Sequence, residues 1–175
     1  MKILINSWQN ALNSILENNP SFKDGVNKRI SLVGIGAEFN GDDAAGVVAA
    51  RLISSTLNGS APDHLMVIDA GQFPENITGS LRAFSPDIII FIDAVQMNAD
   101  PGQISWIPLD SISGMSASSH SLPLSVLSSY LSLDLNCDVH LLGIQPAQNE
   151  PFQPLNSQVL SAVEEISDFF LDACR

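Results

Sequence analysis

Ile30-Ser31-Leu32-Val33-Gly34-Ile35-Gly36 runs into Ala37-Glu38-Phe39-Asn40-Gly41-Asp42-Asp43 and then into the apolar-striped segment 44–57, and this stretch decides the fold. A short apolar run closed by glycines predicts a buried strand. The segment after the acidic pair places Val47, Val48, Leu52 and Ile53 on one side and predicts a helix. The alternation repeats outward from there. Strands are expected over 65–68, 88–92, 104–107 and 139–144, and helices over 75–83, 122–133 and 155–174. Strands that read as continuous apolar runs, separated by amphipathic helices, imply a largely parallel twisted sheet covered on both faces, a three-layer αβα fold. Upstream, Leu4, Trp8, Leu12, Ile15 and Leu16 recur at spacings of three and four, which predicts one more helix, ended by Asn18-Asn19-Pro20. Residues 1–28 therefore read as a helical extension with a polar linker, and residues 29–175 as the α/β domain. The extension is expected to pack on the domain or to help it dimerise.

The chain has 175 residues, a length suited to one domain with a single core. Its 19 acidic against 7 basic residues give a formal net charge of −12. Such a surface repels phosphate backbones and anionic lipid, so neither nucleic acid nor a membrane is an expected partner. A cation, or a partner with basic segments, suits it better. The longest apolar run, Ile88-Ile89-Ile90-Phe91-Ile92, is strand-sized, far short of the roughly 20 residues of a membrane span. The first residues carry no secretory-signal pattern. Cys137 and Cys174 form no metal motif and no disulfide framework, and read as free thiols of a cytoplasmic protein.

In open α/β sheets, ligands bind beyond the carboxyl ends of the strands, so the polar residues there carry the functional question. Gly34 and Gly36 imitate a dinucleotide fingerprint, but Phe39 stands where the third glycine belongs, and Asp42 and Asp43 would repel a pyrophosphate. Asp42 suits a helix start, where a carboxylate complements the macrodipole and caps free N–H groups. Two adjacent carboxylates exceed what capping requires, and one can point outward. Asp93 closes the most apolar strand, where a carboxylate needs hydrogen bonds or a cation. Asp69, followed by Ala70-Gly71, reads as a turn former. Of the histidines, His64 is expected to be exposed and His140 to pack within a strand, while His120 occupies a serine-rich loop ahead of a helix. Asp43, Asp93 and His120 together form an incomplete hard-to-borderline ligand set for a divalent first-row metal. No Asp-Thr-Gly or Asp-Ser-Gly pair is present to build a shared-proton dyad. Residue chemistry alone leads to an α/β domain with a carboxylate–histidine metal site and no further.

These residues resemble those of the hydrogenase maturation proteases, the endopeptidases that trim the large subunit of nickel–iron hydrogenases. The likeness rests on Leu32-Val33-Gly34-Ile35-Gly36 with Gly41-Asp42-Asp43, Val67-Ile68-Asp69-Ala70-Gly71 with Pro74-Glu75-Asn76, Ile92-Asp93-Ala94, Pro101-Gly102, Ser119-His120-Ser121-Leu122-Pro123 and Leu142-Gly143-Ile144-Gln145-Pro146. The Pro-Glu-Asn and Gly-Ile-Gln-Pro segments are most similar to the branch serving formate-hydrogenlyase-type hydrogenases. The resemblance implies metal ligation by Asp43, Asp93 and His120, with Asp43 and Asp93 catalytic, in a peptidase classed with the aspartic type. It implies nickel as the metal, carried in by the substrate, with other divalent metals able to occupy the site in vitro. The implied partner is a large-subunit precursor with nickel inserted, which loses a C-terminal extension. A nickel-sensing or metal-delivery protein of the same fold, without hydrolysis, is the rival reading. Two positions depart from the family pattern: Ala37 stands where it usually has Asn, and Ala44 where it usually has Gly. The second departure is harmless only if residue 44 is already helical.

Overall fold

The structure, a computed structural model, describes residues 7–17, 28–108, 111 and 123–173. The elements run α1 (Ser7–Glu17), β1 (Ile30–Ile35), a 3-10 turn at Gly41–Ala44, α2 (Ala45–Leu57), β2 (Leu65–Gly71), a 3-10 turn at Pro74–Ile77, α3 (Thr78–Phe84), β3 (Ile88–Ala94), β4 (Ile104–Pro108), α4 (Leu124–Leu135), β5 (Asp138–Ile144) and α5 (Ser157–Ala173). The strands form one sheet in the order β2-β1-β3-β5-β4. All pairings are parallel except β4 with β5, which is antiparallel.

The two-residue period of β3 divides the core. Ile88, Ile90 and Ile92 pack with Leu32, Leu142 and Ile144 under α1, α2 and α5. Ile89 and Phe91 pack with Val33, Ile35, Val139 and Leu141 under α3 and α4. Every residue of β3 is buried, as a central strand covered on both faces must be. The expected three-layer αβα architecture is therefore the observed one. Helix α1 belongs to the first of these layers. Trp8 and Leu12 are buried in that core, the Trp8 ring lies 5.2 Å from the Phe169 ring of α5, and Gln9 Nε2 donates to Glu165 Oε1 at 3.2 Å. Expected features at Asn18 to Pro20, His120 and Cys174 lie outside the described residues.

Element edges shift from the sequence expectation for local reasons. β2 continues through Asp69 to Gly71, with a register irregularity where Gly34 pairs with Asp69 but Ile35 with Gly71. The expected helix starts near 44 and 75 are preceded by 3-10 turns. Helices α2, α3 and α4 each end on a left-handed residue, Asn58, Ser85 and Asn136.

Candidate active site

Strand β1 feeds α2 on one face of the sheet, whereas the crossover from β2 to β3 carries α3 over the other. β1 and β3 are neighbours, and the chain leaving β1 goes to β2 on one side while the chain leaving β3 goes to β4 and β5 on the other. A crevice opens at such a switch point, beyond the carboxyl ends of the two strands. Asp43 comes from the loop leaving β1, and Asp93 is the penultimate residue of β3. The structure therefore brings these two expected residues to one place in the fold.

The loop after β1 is shaped by glycine and by its own backbone. Gly36 has φ +146°, and a Cβ there would collide with the Asp43 carbonyl oxygen. Its N–H donates to Gly71 O at 3.0 Å, joining the ends of β1 and β2. The Asn40 and Asp43 N–H groups donate to Ala37 O and Asn40 O at 3.0 and 3.2 Å. The Ala37 N–H donates to Asp43 Oδ2 at 3.0 Å, so a backbone amide orients the carboxylate, and no asparagine side chain is needed at 37 for that bond. Ala44 has φ −76° and ψ −5°, right-handed and comfortable for alanine. Neither departure from the family pattern disturbs this loop.

Helix α2 then presses its first turn against both strand ends. A Cβ on Gly46 would overlap the carbonyl oxygens of Ile92 and Ile35. Gly46→Ala is expected to cost about 3 kcal/mol, the upper end of what overpacking a dense core costs. Urea unfolding checks it, and an unchanged midpoint would show that the helix can shift.

Both carboxylates are buried, Asp93 completely and Asp43 at 5% exposure. Asp42 is also fully buried, but its role differs from the helix-start capping expected of it. Neither the 3-10 turn nor α2 has a side-chain cap. Asp42 Oδ2 instead accepts the N–H groups of Ala147 and Gln148 at 2.8 and 2.9 Å, and Oδ1 accepts that of Asn156 at 2.6 Å. It clamps the loop after β5 to the loop after β1. Asp42 and Asp43 are both turned inward, so neither is the outward-pointing carboxylate that the sequence allowed.

Gln145 acts in the same way on the other side of the crevice. It is buried, and its Oε1 accepts the N–H groups of Met97 and Ala99 at 2.7 and 3.3 Å. Its Nε2 donates to Gln96 Oε1 and Pro146 O at 3.1 and 3.0 Å. The loop following Asp93 is thereby tied to the end of β5. A polar residue between a buried strand and a proline was the available sequence signal, and it did not reveal the partners.

Asp69 has the structural role expected of it. Its Oδ1 accepts the Gly71 N–H at 3.0 Å, and its Oδ2 accepts Arg51 Nε at 2.6 Å. Arg51 also pairs with Glu38, and the hydrogen bond from that guanidinium holds the Glu38 carboxyl below its ordinary pKa. His64 is half-buried rather than exposed and precedes β2, at the opposite edge of the sheet from the crevice. Cys137 is buried, and burial pushes its thiol pKa up to about 11, which leaves no thiolate for nucleophilic work. His120 lies outside the described residues. Among the described residues no three His, Cys, Asp or Glu side chains gather as a metal site, and none of the helices is long and apolar enough to cross a membrane.

His140 packs within β5, its ring 4.7 Å from that of Trp106. Burial holds its pKa below 6.5, with Asp138 opposing the shift. A lowered folded-state pKa stabilises the neutral form, so this contribution is complete above pH 6.5 and is lost as pH falls through the folded value. His140→Gln is expected to flatten the stability curve in that window. Denaturation midpoints across the window read this, and identical slopes for both proteins would rule it out.

Against this geometry, the family model of the HycI hydrogenase maturation proteases matches residues 51–173. The chain belongs to the hydrogenase maturation protease family. It is 32% identical over 136 residues to the hydrogenase 3 maturation protease of Escherichia coli K12, covering 77% of this chain and 84% of that one. The crystal structure of the NiFe hydrogenase maturation protease HycI from Thermococcus kodakarensis superposes with a TM-score of 0.77 at 29% identity, covering 91% of this chain and 97% of that one. The solution structure of the endopeptidase HycI from Escherichia coli gives 0.70 at 31% identity, with 80% and 87% coverage. The chain is a peptidase of hydrogenase maturation, and the crevice between β1 and β3 is its candidate site.

Proposed function

We propose that this protease removes the C-terminal extension of a nickel–iron hydrogenase large-subunit precursor once nickel is in place, with the substrate's nickel docking at Asp43, Asp93 and His120. The observation that carries the reading is the pair of buried carboxylates at the switch point between β1 and β3. A carboxylate taken out of water needs hydrogen bonds or a cation, and two oxygens with an imidazole nitrogen suit nickel. Other divalent metals enter the same ligand set in vitro. Asp43 is already oriented through Oδ2 by the Ala37 N–H.

In this reading the precursor tail lies along the carboxyl edge of the sheet. Asp43 and Asp93 hold the substrate's metal and so fix the scissile peptide relative to the crevice. A carboxylate of the pair takes the proton of the attacking water as it adds to the peptide carbonyl. That carboxyl then gives the proton to the departing amine as the C–N bond breaks. The acidic surface and the buried, free Cys137 accord with a cytoplasmic enzyme working on another protein.

Purified protein mixed with nickel-loaded precursor should shorten it by one discrete C-terminal fragment, read by intact mass. The same precursor without nickel should stay whole. Equal cleavage of both forms would remove nickel recognition, and nickel-dependent binding without any cleavage would favour the sensor reading.

A further inference from the structure

Three exposed phenylalanines crown the carboxyl edge of the sheet. Phe39 is 67% exposed on the loop after β1, Phe73 is 51% exposed on the loop after β2, and Phe152 is 84% exposed on the loop after β5. Phe39 lies within the loop that delivers Asp43, so this apolar fringe is continuous with the candidate site. Phe39 and Phe152 are built as a unit. The Phe152 N–H donates to Phe39 O at 2.7 Å, and the two rings lie 6.4 Å apart, tilted by 32°. Phe152 also has φ +62°, a left-handed backbone that a bulky residue rarely adopts. Backbone of this kind collects at functional sites, where the surroundings impose it. Here the surroundings are the Asp42 clamp, which fixes the amides of Ala147, Gln148 and Asn156 on either side of the ring.

Single exposed apolar residues need no explanation, but clustered aromatics beside a cleft mark an interaction surface. The charge around them selects the occupant. Glu38 and Asp69 share one cation, Arg51, and Glu150 stands exposed two residues from Phe152. The fringe is therefore aromatic with a negative surplus, on a chain of net charge −12. A second copy of this chain or an anionic lipid surface would meet like charge there. A protein segment presenting apolar side chains next to lysine or arginine would meet complementary chemistry.

Resting on the proposed function, we infer that Phe39 and Phe152, with Phe73 beside them, dock an apolar, basic-flanked segment of the precursor and so hold it over the crevice. The rings touch substrate away from the reacting atoms, so they govern affinity and leave the chemical step alone.

The test pairs Phe39→Ser with Phe152→Gly, since glycine accepts the left-handed backbone and keeps the fold secure. Nickel-loaded precursor is the probe, with its affinity measured directly by calorimetry alongside KM and kcat. The double variant should bind about tenfold more weakly, a loss of roughly 1.4 kcal/mol. KM should rise in parallel while kcat and the melting temperature hold. Unchanged affinity in a folded double variant would overturn the docking role, and so would a fall in kcat at constant KM. If the wild-type protein binds precursor without cutting it, the hydrolytic reading fails, and the affinity comparison still judges the rim.

Discussion

Asp43→Asn and Asp93→Asn should each stop precursor processing while leaving the protein folded. Asparagine keeps the size of aspartate, and its carbonyl can still accept the Ala37 N–H now held by Asp43 Oδ2. The negative charge is what disappears. In the proposed site that charge is one of two that hold the substrate's metal, and a carboxylate of the pair receives the water proton. Disturbing a group that merely supports a metal ligand already costs about 10- to 100-fold, so loss of a ligand should cost at least the upper figure. His120→Ala should do the same. Single-turnover cleavage of nickel-loaded precursor measures the effect, with circular dichroism melting as the control for folding. Activity within a few-fold of wild type in either aspartate variant would withdraw the assigned roles. A variant that is inactive only because it has melted would show as a shifted midpoint.

The fold was legible because the strands that matter are buried on both faces. Ile30 to Ile35 and Ile88 to Ile92 read as continuous apolar runs, and continuous burial is what the helices on either side enforce. The strand ends were less legible, because backbone pairing is indifferent to the side chain that follows. β2 continues through Asp69 and β3 through Asp93, each past the point where its apolar pattern stops. The antiparallel direction of β4 left no trace either, since a short apolar run does not reveal the direction of the strand it pairs with. For the site, placement at strand ends made Asp42, Asp43, Asp69 and Asp93 candidates. It could not separate Asp43 from Asp42, because neighbours in sequence share a location and differ only in partners. Asp42 finds its partners more than a hundred residues downstream, at Ala147, Gln148 and Asn156. Gln145 escaped for a similar reason. Its backbone acceptors and donors gather from two loops that only the strand order β3-β5 brings side by side.

Asp42→Ala should give the opposite phenotype to Asp43→Asn, a loss of stability before any loss of chemistry. The carboxylate of Asp42 is fully buried and accepts three backbone N–H groups through both of its oxygens. Alanine leaves those three donors facing a void. Hydrogen bonds to a charged acceptor contribute about 1.5–3 kcal/mol each and do not add fully, so a total on the order of 4 kcal/mol is expected. In a chain of this size that corresponds to a fall in melting temperature of roughly 8–16 °C. Asparagine should rescue only part of it, because its amide nitrogen would confront at least one N–H donor with another donor. Hydrogen exchange should locate the damage, with the amides of Ala147, Gln148 and Asn156 losing protection ahead of the strands. A melting temperature within about 2 °C of wild type, the shift expected for less than 1 kcal/mol, would mean the clamp only decorates a loop held by other bonds. The adjacent pair therefore separates on one measurement each. Asp42 fixes the loop after β5 against the loop after β1 by binding protein, and in the proposed site Asp43, turned by a single amide, binds what enters.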